Sequence, residues 1–188
     1  MSKLYDFREL LKPGKVYRRS ELAQVSKTTD KHLASLLSEG TLQKLSRGIY
    51  YYPKKTVFGN TQPEGMDLVR AFLNNDRFLL TSFNAYNSLG VGTTQLYNER
   101  IVYNYKRHGV FTLGNRKFKF QIKRNFPEKL SLEFLLIDLI NNVDKLAEDK
   151  NKILKNALTK AGRMDLIKIK EFALCYGNIK TKRLINLV

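Results

Sequence analysis

Leu4, Phe7 and Leu11 recur at the spacing that lines one face of a helix, and Pro13-Gly14 ends the pattern. Ser20 is placed to cap a short helix through Glu21, Leu22 and Ala23. After Gln24, Val25 and Ser26 a third helix is expected. Thr28 or Thr29 is its cap, Leu33, Leu36 and Leu37 are its buried stripe, and Gly40 is its end. Two strands follow, Thr41 to Leu45 and Ile49 to Tyr52. Ser46, Arg47 and Gly48 form the turn between them, where glycine supplies a positive φ.

Beyond residue 60 the periods mix. A helix is expected from Glu64 to Asn74, burying Met66, Val69, Phe72 and Leu73, and a shorter one from Ser82 to Leu89, ended by Gly90. Strands are expected at 101–105, 110–113 and 117–123. In the last, Phe118, Phe120 and Ile122 alternate with Lys117, Lys119, Gln121 and Lys123. An antiparallel sheet with one wet, basic face follows, and that face suits a nucleic acid, an acidic partner or plain solvation of an edge strand. Leu132 to Val143, Leu154 to Ala161 and Ile169 to Tyr176 carry helical stripes, and the basic segment 180–188 reads as a docking tail. The fold class is therefore α+β. The breaker-rich stretch Gly59 to Pro63 divides the chain into residues 1–60, a winged helix-turn-helix by element order, and residues 61–188, an α+β domain.

Charge changes this picture most. The 188 residues hold 34 Lys+Arg against 17 Asp+Glu, a net charge of +17. Residues 1–60 alone carry 12 basic and five acidic side chains. A polyanion that releases counterions on binding relieves such self-repulsion. With its leucines turned inward, the third helix presents Lys27, Thr28, Lys31, Ser35 and Ser38 outward, with His32 at the flank. A helix with this face fits the major groove of double-stranded DNA. Lys44 and Arg47 on the ribbon suit the adjacent backbone, and Arg18 and Arg19 suit phosphates. The candidate DNA-binding residues are thus Arg18, Arg19, Lys27, Thr28, Thr29, Lys31, His32, Ser35, Lys44 and Arg47. Asp30 stands against this reading, because phosphates repel a carboxylate. Winged helices also serve protein–protein contacts, so an interaction module stays open.

Enzyme signatures are sparse. Gly90-Val91-Gly92 follows a helix rather than a strand, which is the wrong context for a phosphate loop. Two histidines and one cysteine hold no metal site, and no cofactor is implied. Glu148-Asp149-Lys150 matches the acid-x-Lys core of some nucleases, but it falls between helices. Cys175 sits among apolar neighbours and is expected in the core. No secretion signal or membrane span is evident, so a reducing cytoplasm is expected, and the protein reads as a regulator rather than an enzyme.

Residues 14–22 (GKVYRRSEL) and 33–50 (LASLLSEGTLQKLSRGIY) resemble the N-terminal domain of AbiEi-type antitoxins of bacterial abortive-infection toxin–antitoxin systems. Residues 78–90 (FLLTSFNAYNSLG) look like the helix that follows that domain, and the resemblance weakens beyond about residue 125. It implies a winged domain that binds inverted repeats in its own promoter. It also implies a C-terminal domain that opposes a nucleotidyltransferase-like toxin. The DNA readers it implies are Thr28, Thr29, Lys31 and His32, with Arg47 on the wing. A stand-alone regulator without a toxin partner is the alternative.

Overall fold

The computed structural model describes residues 3–188, with side chains from Tyr5 onward; Leu4 of the first expected helical stripe lies outside the described side chains. The protein is α+β, with small sheets followed by C-terminal helices. It divides into two compact units. One holds residues 1–76 with 110–118, and the other holds 77–109 with 119–188.

In the first unit, α1 (Lys3–Glu9) leads through a turn to β1 (Val16–Arg18), a strand the hydrophobic pattern does not announce because it spans only three residues. Then come α2 (Arg19–Leu22), α3 (Thr29–Ser38), β2 (Gln43–Ser46) and β3 (Ile49–Tyr51). The strands form an antiparallel sheet of order β1-β3-β2, with Tyr17 opposite Tyr50 and Lys44 also opposite Tyr50. Phe7, Leu11, Leu22, Leu33, Leu36, Leu42 and Tyr50 make the core beneath it. Ser20 does not cap α2; it lies inside the helix. Arg18 is the N-cap residue, and its backbone N–H donates to the Glu21 carboxylate at 3.1 Å.

Gly59 and Asn60, expected at the start of a linker, pair instead as β5 (Gly59–Asn60) with β4 (Lys55–Thr56) in a small hairpin. The unit also runs past residue 60 because α4 (Gly65–Leu73) belongs to it: Ala71 C=O accepts from the Arg18 guanidinium at 3.1 Å. Asn74 ends α4 in the left-handed conformation, φ 50°. The helix buries Leu68, Val69 and Leu73, while Met66 is exposed, so its inward face is rotated from the expected one.

The second unit is built around α5 (Leu132–Asn142), in which every residue from Phe134 to Ile140 is buried. Ser131 caps it by accepting from the Phe134 N–H at 3.2 Å. Strand β6 (Phe78–Thr81) pairs antiparallel with β7 (Arg100–Asn104), Leu79 facing Tyr103. Strands β8 (Gly109–Leu113) and β9 (Arg116–Ile122) follow, residues 110–118 being counted with the first unit, and the sheet order is β6-β7-β9-β8. A 3₁₀ helix, Phe83–Leu89, replaces the expected short α-helix and packs on α5. Then α6 (Lys150–Ala161), α7 (Leu166–Tyr176) and α8 (Ile179–Asn186) complete the unit. Asp149, Asp165 and Asn178 cap these three helices.

Two expectations for the C-terminal third are corrected. Segment 180–188 is not a loose basic tail, because α8 buries Thr181 and Ile185 completely. Cys175 is exposed: α7 turns Ile169 and Ala173 inward, which leaves Cys175 and Leu174 on its outer side. Among the described residues no helix is long and apolar enough to cross a membrane, and no group of three or more His, Cys, Asp or Glu side chains could hold a metal ion.

Candidate nucleic-acid interface

Helix α3 exists because its leucines find the first unit's core. Leu33 and Leu36 are buried and Leu37 is half-buried, which turns Lys31, Ala34 and Ser38 outward. Lys27 and Thr28 stand exposed just ahead of the helix. Lys44 is exposed on β2 and Arg47 in the turn to β3, where Gly48 takes φ 72°. Among the described residues, Lys27, Lys31, Lys44 and Arg47 make no ion pair and no side-chain hydrogen bond. No carboxylate occurs in the sequence between Glu39 and Glu64.

Five other candidates have work elsewhere. Thr29 is buried, and its hydroxyl donates to the backbone carbonyls of Ser26 at 2.6 Å and Leu22 at 3.2 Å. It ties α2 to α3 and presents nothing to a ligand. His32 is also buried: its ring lies 4.9 Å from the Phe7 ring, with Ser26 Oγ and Thr28 Oγ1 each 3.3 Å from a ring nitrogen. Both residues face inward because α3 is rotated so that positions 29, 32, 33 and 36 share the core side. Arg18 is half-buried and bonds the Ala71 carbonyl. Ser35 donates to Glu39 at 3.0 Å.

Arg19 grips Asp30 with two nitrogens, Nε at 2.7 Å and Nη2 at 2.5 Å. That bond and the opposite charge hold the Asp30 carboxyl below its usual range and raise the guanidinium further. The pair is exposed and adds little stability. Its consequence is electrostatic: Asp30, which sequence alone sets against a phosphate-facing surface, has its charge answered inside the protein. The surviving set is compact in kind: Lys27, Thr28, Lys31, Lys44 and Arg47.

The nuclease-like triplet resolves into structural roles. The Glu148 carboxylate accepts from the N–H groups of Thr94 and Gln95 at 3.0 and 3.2 Å and from the Tyr97 hydroxyl at 2.8 Å. Burial pushes this carboxyl upward, but those three donors outweigh it and hold it below the usual glutamate range. Asp149 caps α6, accepting from the Lys152 N–H at 2.7 Å, and Lys150 pairs with Asp144.

One polar cluster escaped the sequence reading. Asp138, 1% exposed, accepts from the hydroxyls of Tyr86 at 2.9 Å and Tyr103 at 2.8 Å, and from the Lys123 ammonium at 2.9 Å. Lys123 also lies 3.6 Å from the centre of the Tyr103 ring. Burial, and then the Asp138 charge, push both tyrosine hydroxyls well above their ordinary range, so they stay protonated, donating to Asp138 while accepting from the Asn142 amide at 3.3 and 3.4 Å. The signal was present: Asp138 is the one charge in the run Phe134 to Ile140, and a charge in a fully apolar helix demands a partner.

The described elements define a basic two-unit α+β protein whose first unit carries a helix and ribbon studded with unpaired cations. By sequence the chain belongs to DUF6088, a family of unknown function, whose sequence model matches residues 20–166. No curated protein matches it.

Proposed function

We propose that the first unit is a winged helix-turn-helix that binds double-stranded DNA, with α3 in the major groove and the β2–β3 turn on the adjacent backbone. The observation that carries this reading is the set of exposed cations on α3, just ahead of it and on the ribbon, Lys27, Lys31, Lys44 and Arg47, which make no ion pair among the described residues, while the carboxylates within that stretch, Asp30 and Glu39, are paired with Arg19 and Arg8. The strand order β1-β3-β2 supports it, since it braces the ribbon against the strand preceding α2. Thr28 is the remaining hydroxyl that can meet a phosphate or a base edge.

The resemblance of residues 14–50 to AbiEi-type antitoxins extends the proposal to a cytoplasmic autorepressor that binds inverted repeats in its own promoter and opposes a nucleotidyltransferase-like toxin. A DNA titration against the chain's own upstream sequence tests the first part. Lys31→Ala and Arg47→Ala each weaken binding and reduce the salt slope by about one per lost phosphate contact. Unchanged affinity and slope in both variants sink the assignment of this surface. Co-expression with the reading frame beside it tests the second part: rescue from that frame's toxicity supports an antitoxin, and its absence leaves a stand-alone regulator.

A further inference from the structure

The second unit contains a cleft of about 370 Å³, bounded by the residues after β9, the C-terminal end of α5 and the α7–α8 turn. Its lining includes three cations, Lys123, Arg124 and Lys145, five Asn or Gln side chains, and no carboxylate. We infer that this cleft binds a phosphate monoester of nucleotide size, with Arg124 and Lys145 as its charged contacts.

The charge balance carries the inference. Lys119, Lys123 and Lys145 cluster around two carboxylates. Lys119 takes Glu99 at 3.1 Å, and Lys123 takes the buried Asp138 at 2.9 Å. Lys145 is left with an amide, the Asn142 oxygen at 2.8 Å. Burial, then the charges of Lys123 and Lys119, hold its ammonium below the usual lysine range. Arg124 is exposed at the mouth and makes no ion pair among the described residues. Two positive charges thus face one cleft unanswered, and a dianion balances them.

The geometry suits that ligand. A guanidinium fork matches two phosphate oxygens. Asn125 and Asn178 line the same cleft, where their amide nitrogens are further donors. The floor is rigid, because Asp138 fixes Lys123 while Asn142, which holds Lys145, donates to the Asp138 carbonyl at 2.9 Å. The volume falls at the small end of the roughly 300–1,000 Å³ of known ligand pockets. None of these residues belongs to the unit proposed to bind DNA, so the inference is independent of that proposal.

Calorimetric titration of the full chain at physiological salt tests it, with AMP against adenosine, and a short 5′-phosphorylated oligonucleotide against its 5′-hydroxyl form. AMP or the phosphorylated oligonucleotide binds more tightly than its phosphate-free counterpart, and whichever shows the larger gain identifies the source. Arg124→Ala and Lys145→Met each reduce that gain roughly tenfold, while a Lys31→Ala, Arg47→Ala double variant retains it. Arg124 is exposed, so its variant folds even if the Lys145 variant does not. Equal binding of each pair, or a gain untouched by Arg124→Ala, overturns the inference.

Discussion

Two basic regions of this chain look alike in sequence and differ in what answers their charge. Lysines and an arginine at α3 and the β2–β3 ribbon stand in solvent, and the carboxylates in their stretch of chain, Asp30 and Glu39, are paired with Arg19 and Arg8 instead. The lysines at the end of β9 alternate just as regularly, yet Lys119 is tied to Glu99 and Lys123 to a buried Asp138. A cation already paired inside the protein has little left for a ligand, whereas an unpaired one releases counterions when a polyanion arrives. On this contrast the proposed DNA surface falls on the first region. Beside the second, among the described residues that line the cleft, Arg124 and Lys145 are left to account for.

The widest gap between the regions is in stability. Asp138→Ala strands a lysine ammonium and two tyrosine hydroxyls around an emptied buried position, at a cost of about 3–5 kcal/mol. Replacing both partners, Asp138→Leu with Lys123→Met, recovers much of that loss, because no charge is left uncompensated. Lys31→Ala or Arg47→Ala stays within about 0.5 kcal/mol of the parent. Urea unfolding checks all of these, and an Asp138→Ala variant as stable as the parent breaks the contrast.

Within the first unit the same division runs through neighbouring threonines. Thr29→Val removes the only side-chain donor to two backbone carbonyls and costs about 2 kcal/mol. Thr28→Val leaves stability nearly intact and acts on DNA affinity instead. If Thr29→Val proves neutral in thermal unfolding, the bond joining α2 to α3 is not what holds that turn.

What could be read from the chain follows the same physics. The helices of the C-terminal third and the strands at 101–104 and 109–122 were legible because long, regular periods average over local noise. Strands β1, β4 and β5 have two or three residues, too few to show any period; β1 exists through a distant partner, Val16 facing Tyr51, and β4 and β5 through each other. The exposure of Lys27, Lys31, Lys44 and Arg47 was readable because long charged side chains reach solvent from almost any position. Thr29 and His32 were misjudged because one helical step, about 100°, separates an outward residue from a core one, and the phase of α3 was set by Leu33 and Leu36 more tightly than the pattern implied. The pairing of Arg19 with Asp30 spans eleven residues and two helices, and no local rule announces it.

Glu148 offers a smaller and pH-dependent test of the paired region. Its carboxyl is held low, so its contribution is fully present above the ordinary glutamate value of about 4.3 and is lost as pH falls through the lower folded value. Glu148→Gln therefore costs about 1 kcal/mol at neutral pH, and the gap to the parent closes as pH falls below about 4. Thermal unfolding across that range checks the sign: a gap that widens on acidification is incompatible with a carboxylate stabilised by Thr94, Gln95 and Tyr97.

The smallest effect concerns the most exposed apolar side chain. Phe58, at the tip of the β4–β5 hairpin, is 98% exposed, so Phe58→Ser removes no buried area and changes stability by less than about 0.5 kcal/mol. The turn is held elsewhere: Thr56 Oγ1 accepts from the Phe58 N–H at 3.3 Å and donates to the Gly59 carbonyl at 2.8 Å. Thr56→Val removes both bonds without touching the core, so hydrogen exchange at residues 55–60 quickens while global unfolding is unchanged. Slow exchange preserved in Thr56→Val but lost in Phe58→Ser reverses the assignment, because the ring rather than the hydroxyl then orders the tip.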